Sequence, residues 1–94
     1  MIKILKLLTG EEIIGEVDIM TDKVIISKPC QLQLVPSRAN PDQPMMALFP
    51  YASYTKNHKI TVFTSTISWI EEPVAELYNQ YNSVFGSGLV LPKV

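Results

Sequence analysis

The sequence predicts a mostly β fold: a small, strongly bent antiparallel barrel of five strands followed by one α-helix. Short apolar runs, several with period-two alternation, succeed one another up to residue 71 and are separated by turn-forming residues. The last two runs are joined by only three residues, Thr64-Ser65-Thr66, so the chain reverses tightly there. From Pro73 onward the apolar period lengthens, and Val74, Leu77, Tyr78, Tyr81, Val84 and Phe85 recur at helical spacing. A chain of 94 residues holds one such domain. The barrel is expected over residues 2–71, the helix over 73–85 and a tail over 86–94.

Residues 2–8 mix apolar and Lys positions and read as a first strand with both faces partly buried. Thr9-Gly10-Glu11-Glu12 is a turn in which Gly10 supplies a backbone conformation other residues resist. Residues 12–20 resume a strand, with Ile13, Gly15, Val17 and Ile19 on one face and Ile14, Glu16, Asp18 and Met20 on the other. Gly15 inside that strand marks a sharp bend or a close backbone approach. Thr21-Asp22-Lys23 is a short hairpin connection. Val24 to Ser27 opens a third strand, Pro29 marks a bend or an edge, and the alternation from Gln31 to Val35 continues it. Residues 36–44 carry three prolines and no large apolar side chain, which predicts a projecting loop. Met45 to Tyr51 is strand-like but interrupted by Pro50, and Tyr54 to Lys59 is an irregular excursion. Ile60–Phe63 and Ile67–Ile70 are the last strands. Pro73 suits a first helical turn, and Glu71, Glu72 and Glu76 suit the positive end of a helix dipole. Gly86-Ser87-Gly88 ends the helix, and the apolar residues after it have no evident home on a lone protomer.

Composition narrows the function. The chain is 47% hydrophobic and 18% charged with a net charge of -1, and its mean hydropathy is +0.16. That excludes disorder and a strongly basic nucleic-acid module, whose phosphate contacts need a Lys/Arg excess. So small an apolar domain leaves hydrophobic surface exposed, and oligomerisation covers it. The single Cys30 makes no internal disulfide, which fits a reducing cytoplasm. The apolar start, residues 1–8, is too short for a signal peptide, and no run reaches membrane-spanning length.

Two stretches resemble a known family. Leu7-Leu8-Thr9-Gly10-Glu11-Glu12-Ile13-Ile14-Gly15-Glu16-Val17 resembles the opening motif of the Sm/LSm family, in which a turn Gly follows the first strand and a second Gly lies five residues later in the bent second strand. Val62-Phe63-Thr64-Ser65-Thr66-Ile67-Ser68-Trp69-Ile70 resembles the second Sm motif, above all in its bacterial Hfq form. The whole chain is most similar to small Sm-like proteins of marine cyanophages. The resemblance implies a ring of identical subunits in which the fourth strand of one pairs with the fifth of the next, burying Ile60, Val62, Phe63, Ile67 and Trp69. It also implies single-stranded RNA as partner, at Met20, Thr21, Asp22 and Lys23 between strands two and three and at Thr64, Ser65 and Thr66 in the last turn. Encoded by a phage, the protein would act in the host cytoplasm.

The departures from the family shape the expectation. RNA binders of the family place an Asp, an Asn and a stacking ring on the first of these loops. Residues 19–23 offer Asp22 and Lys23 but no Asn and no ring. The last turn carries Arg-Gly or Lys-His in those relatives and only hydroxyls here. The family usually starts with a helix stacked on the open barrel, whereas here Met1 stands almost at the first strand, so the helix at 73–85 is expected to cover that barrel end instead, with Tyr78 and Tyr81 as lids. Two functions follow: an RNA-binding or RNA-chaperone ring, or a ring that scaffolds other proteins and has lost RNA.

Other chemistry has weaker support. Gly10 and Gly15 have the spacing of a phosphate loop, but Glu16 and Val17 stand where Lys and Ser/Thr belong. Cys30 and His58 are each single, too few for structural zinc, and nothing in their spacing makes them a nucleophile pair. Cys30 is expected to be a small buried apolar residue. Glu11-Glu12 and Glu71-Glu72 are adjacent pairs that a strand would point to opposite faces. No enzyme, metal or cofactor is expected. Tyr51 and Tyr54 beside Lys56, His58 and Lys59 are the only local mix of rings and cations, and so a second, weaker candidate surface for RNA.

Overall fold

The computed structural model describes residues 1–39 and 42–85. Asn40 and Pro41 of the projecting loop, the glycine stop at 86–88 and the apolar tail lie outside the described residues. Six strands form one antiparallel sheet: β1 (Ile2–Leu7), β2 (Glu12–Ile19), β3 (Lys23–Val35), β4 (Met45–Pro50), β5 (Lys59–Phe63) and β6 (Ile67–Glu71). One helix, α1 (Ala75–Phe85), follows. The strand order is β4-β3-β2-β1-β6, with β5 also on β3.

The strand count exceeds the expected five because one edge of β3 has two partners. Its first half, Lys23 to Ser27, pairs with β5, and its second half, Cys30 to Val35, pairs with β4. β4 and β5 lie end to end, parted by the excursion at 51–58, where Ala52, Asn57 and His58 all have positive φ.

β3 changes partner at a bulge. On its β2 side the register steps from Ile14↔Cys30 to Glu16↔Ser27, so Gly15 stands opposite two residues, Lys28 and Pro29. Lys28 takes a left-handed φ of 51°. A Cβ on Gly15 would lie 2.5 Å from Ile26 Cγ2 and 3.1 Å from the Ser27 carbonyl oxygen. Both readings of Gly15 and Pro29 hold: the backbones approach closely, and the strand bends.

The sheet is curled, and chain connectivity shows why. β5 and β6 are opposite edges in the path β5-β3-β2-β1-β6. Four strand spacings would put them roughly 19 Å apart if the sheet were flat. Yet a single 3-10 turn, Thr64–Thr66, joins them, and a turn of that length spans only about 8 Å. The edges therefore come round toward each other. No backbone pairing joins them among the described residues, so the sheet stays open there.

Alternation sends apolar residues to both faces. Leu5, Ile13, Val17, Val24 and Ile26 form the inner cluster, with Ile60, Val62, Ile67 and Ile70 packed against it. Ile2, Ile14, Cys30 and Leu32 form a second cluster on the other face, closed by Leu77 and Tyr81 of α1. The helix thus covers the outer sheet face rather than an open barrel end, because bulged β3 turns Cys30 and Leu32 outward. Tyr81 is buried, and its hydroxyl donates to the Lys28 carbonyl at 2.8 Å, tying α1 to the bulge. Tyr78 is 44% exposed and belongs to neither buried cluster. Val74 is the N-cap, since its carbonyl accepts from the Tyr78 N–H at 2.9 Å, which leaves Pro73 just outside the first turn.

Candidate nucleic-acid interface

The structure brings the two loops of the main candidate site together. The Thr64 N–H donates to the Asp22 carbonyl at 3.0 Å, and Lys23 pairs with Phe63 across the β3–β5 ladder. Within the first loop, the Met20 N–H donates to the Lys23 carbonyl at 2.9 Å, closing the hairpin. The Leu8 N–H donates to the Thr66 carbonyl at 2.8 Å, so the last turn also touches the first hairpin. Met20, Thr21, Asp22, Thr64, Ser65 and Thr66 are exposed, and Lys23 is half-buried.

The chemistry of this surface is polar and weakly charged. The Thr66 hydroxyl is spent on the Phe63 carbonyl at 2.7 Å, where it caps the turn. Thr21, Thr64 and Ser65 keep their hydroxyls for a partner among the described residues. Such groups, with the Asp22 carboxylate, hydrogen-bond base edges. Lys23 is the one cation on the two loops. In the first hairpin the Thr9 hydroxyl donates to the Glu11 carboxylate, and this bond holds the Glu11 carboxyl below its ordinary range. Glu11 is therefore a negative charge held in the first hairpin, on the side of Tyr51.

The second candidate surface lies elsewhere. Lys59 pairs with Ser27, four residues along β3 from Lys23, a separation of roughly 13 Å along the strand. Tyr54 is 90% exposed, and Lys56 and Lys59 are also exposed. Tyr51 is half-buried against the inner cluster, and burial, with Glu11 adding, pushes its hydroxyl above the ordinary value. His58 donates from Nε2 to the Tyr51 carbonyl at 3.0 Å and stacks at a tilt on Phe85, ring centres 6.1 Å apart. Tyr51 and His58 therefore pin the excursion and leave Tyr54, Lys56 and Lys59 as its free members.

The expected interface residues divide by face. Ile60, Val62 and Ile67 are half-buried in their own protomer's inner cluster. Phe63, 60% exposed, and Trp69, 37% exposed, face solvent on the edge strands β5 and β6. Cys30 is buried, and burial pushes its thiol up to about 11, so it stays protonated at neutral pH. Among the described residues no three His, Cys, Asp or Glu side chains gather to hold a metal ion, and no helix is long and apolar enough to cross a membrane.

No family model matches the chain, and no curated protein is detectably similar to it.

Proposed function

We propose that this chain is a subunit of an Sm-like homo-oligomeric ring whose joined loops at 20–23 and 64–66 contact single-stranded RNA. The observation that carries the ring is the pair of free edges. β5 and β6 each present an unpaired row of backbone groups, held near each other by one short turn. Unpaired edges invite strand addition, and one edge of each kind per subunit makes a head-to-tail contact that closes into a ring or grows into a fibre. Phe63 and Trp69 lie exposed on those strands. The Sm-like resemblance of the two motifs supports RNA as the ligand.

A second reading has its own observation. On the joined loops Lys23 is the one cation, and Asp22 offsets it. A single cation gives little counterion release, so a ring that scaffolds other proteins fits this surface as well. Native mass spectrometry, followed by titration of oligo-U and oligo-A at two salt concentrations, separates the two. Micromolar affinity that weakens with salt supports RNA. A ring that binds neither oligonucleotide at low salt leaves the scaffold reading, and a monomer at high concentration rejects both. Lys56→Ala/Lys59→Ala with unchanged RNA affinity removes the excursion as a contact.

A further inference from the structure

The two edge strands sort their side chains by face. On β5, Ile60 and Val62 pack into the inner cluster, while Lys59, Thr61 and Phe63 are exposed on the outer face. On β6, Ile70 packs inward, and Trp69 and Glu71 lie on the outer face, opposite Lys6 and Ile4 of β1. A groove runs there between α1 and the outer face of β1 and β6. It is lined by Ile4, Trp69, Val74 and Leu77, with the carboxylates Glu71 and Glu72 beside them. Val74 is 70% exposed in it. Lys3 pairs with Glu72 at 3.3 Å, whereas no cation pairs with Glu71 among the described residues.

The outer face of β5 carries what this groove lacks: an exposed ring at Phe63 and an exposed ammonium at Lys59. We propose that β5 of the next subunit lies antiparallel along β6 with Phe63 level with Trp69, so that the phenyl ring covers the groove and the Lys59 ammonium meets Glu71. This docking rests on the ring reading. It adds the direction and register of the contact, and it assigns Lys59 to the contact.

Both faces select that register. With Phe63 opposite Trp69, antiparallel counting sets Val62 opposite Ile70 and Thr61 opposite Glu71. Val62 then continues the inner cluster through Ile70, while Phe63 adds apolar cover to Trp69 on the outer face. Lys59 stands one diagonal step from Glu71, within reach of a long side chain. A slip of one residue sets outward Phe63 against inward Ile70 and Val62 against Glu71, or Phe63 against Ser68. Charge selects the direction. Parallel strands with Phe63 level with Trp69 would bring Lys59 level with Ser65, and the turn Thr64–Thr66 holds no carboxylate. Lys59 is thereby spent on the neighbouring subunit, and Lys56 remains as the cation of the excursion.

Zero-length carbodiimide cross-linking of the full chain tests the docking, with products separated on a denaturing gel and linked peptides identified from each band. Lys3–Glu72 is the intrachain control. The expected link joins Lys59 to Glu71 in covalent multimers and is absent from the single-chain band. A ring by native mass that gives Lys3–Glu72 without Lys59–Glu71 overturns the docking and leaves the ring standing. Lys59–Glu71 in the single-chain band also overturns it, because the protomer's own β5 then lies against its β6. A monomer at high concentration overturns the ring and the docking with it. Charge exchange gives a second readout. Lys59→Glu is expected to raise the protomer concentration at half-dissociation about tenfold, through like charges across the contact. Lys59→Glu/Glu71→Lys is expected to restore the parent value. Equal weakening in both variants, or no change in either, overturns the pairing of Lys59 with Glu71.

Discussion

A Cβ at position 15 would sit 2.5 Å from Ile26 Cγ2, well inside van der Waals contact, and 3.1 Å from a backbone oxygen that has no rotamer to escape through. Gly15→Ala must therefore push β2 off the β3 bulge. It is expected to cost about 1–3 kcal/mol, as overpacked cores do, read as a lower urea midpoint at unchanged slope; an unmoved midpoint would show that the bulge yields freely. Cys30, across the same ladder, couples stability to alkaline pH. Burial raises its thiol from 9.0 to about 11 in the folded chain. The unfolded chain thus releases its proton first, so the stabilisation is intact below pH 9 and is lost as pH rises toward 11. Tyr81, also raised by burial, acts in the same direction at higher pH. Denaturant midpoints measured from pH 8 to 11 should fall less steeply for Cys30→Ala than for the parent chain; equal slopes would remove Cys30 from the effect. The roles of Gly15, Pro29 and Cys30 were legible from residue type. The left-handed backbone at Lys28 and Ala52 was not, since nothing about those residue types asks for it. It is imposed where β3 changes partners and where the excursion leaves β4.

Across α1 and its N-cap, six apolar residues share the helical period, yet the sheet buries only part of that stripe. Leu77 and Tyr81 are buried and Phe85 half-buried, while Val74, Tyr78 and Val84 remain exposed. Truncating two members of one stripe should therefore give unequal results. Leu77→Ala is expected to cost about 2–4 kcal/mol from lost burial and cavity formation, whereas Val84→Ala should stay within roughly 0.5 kcal/mol. Thermal unfolding of both variants checks this, and similar losses would mean that the outer half of the stripe is also packed. Periodicity revealed the helix but not its docking angle. That angle is set by the outward turn of Cys30 and Leu32 and by the Tyr81 hydroxyl on the Lys28 carbonyl. The strand ends were legible because Gly10 and the last turn interrupt clear alternation. The sharing of one β3 edge by β4 and β5 was not, because pairing depends on the bulge in a different strand.

For the molecule as a whole, the edges of the curled sheet set the main expectation. Phe63 is 60% exposed on β5, so Phe63→Asp should leave the monomer's stability within roughly 0.5 kcal/mol. In a ring the same charge would be buried without a partner, and native mass should fall to that of a protomer. An unchanged mass at equal concentration would take β5 out of the contact. The candidate loops were legible as hairpin positions, and the structure joined them through the Thr64–Asp22 hydrogen bond. The groove beside Trp69 was not legible, because its lining comes from β1, β6 and α1, which are distant in sequence. Alternation and helical period sufficed for element type, for the two glycine positions and for an apolar surplus beyond what so small a domain can hide, since each depends on residue type and local spacing. The curl of the sheet, the face under the helix and the meeting of the loops depend on contacts between residues far apart in the chain. Those contacts are chosen by the bulge at Lys28 and Pro29 and by the short turn that draws two sheet edges together.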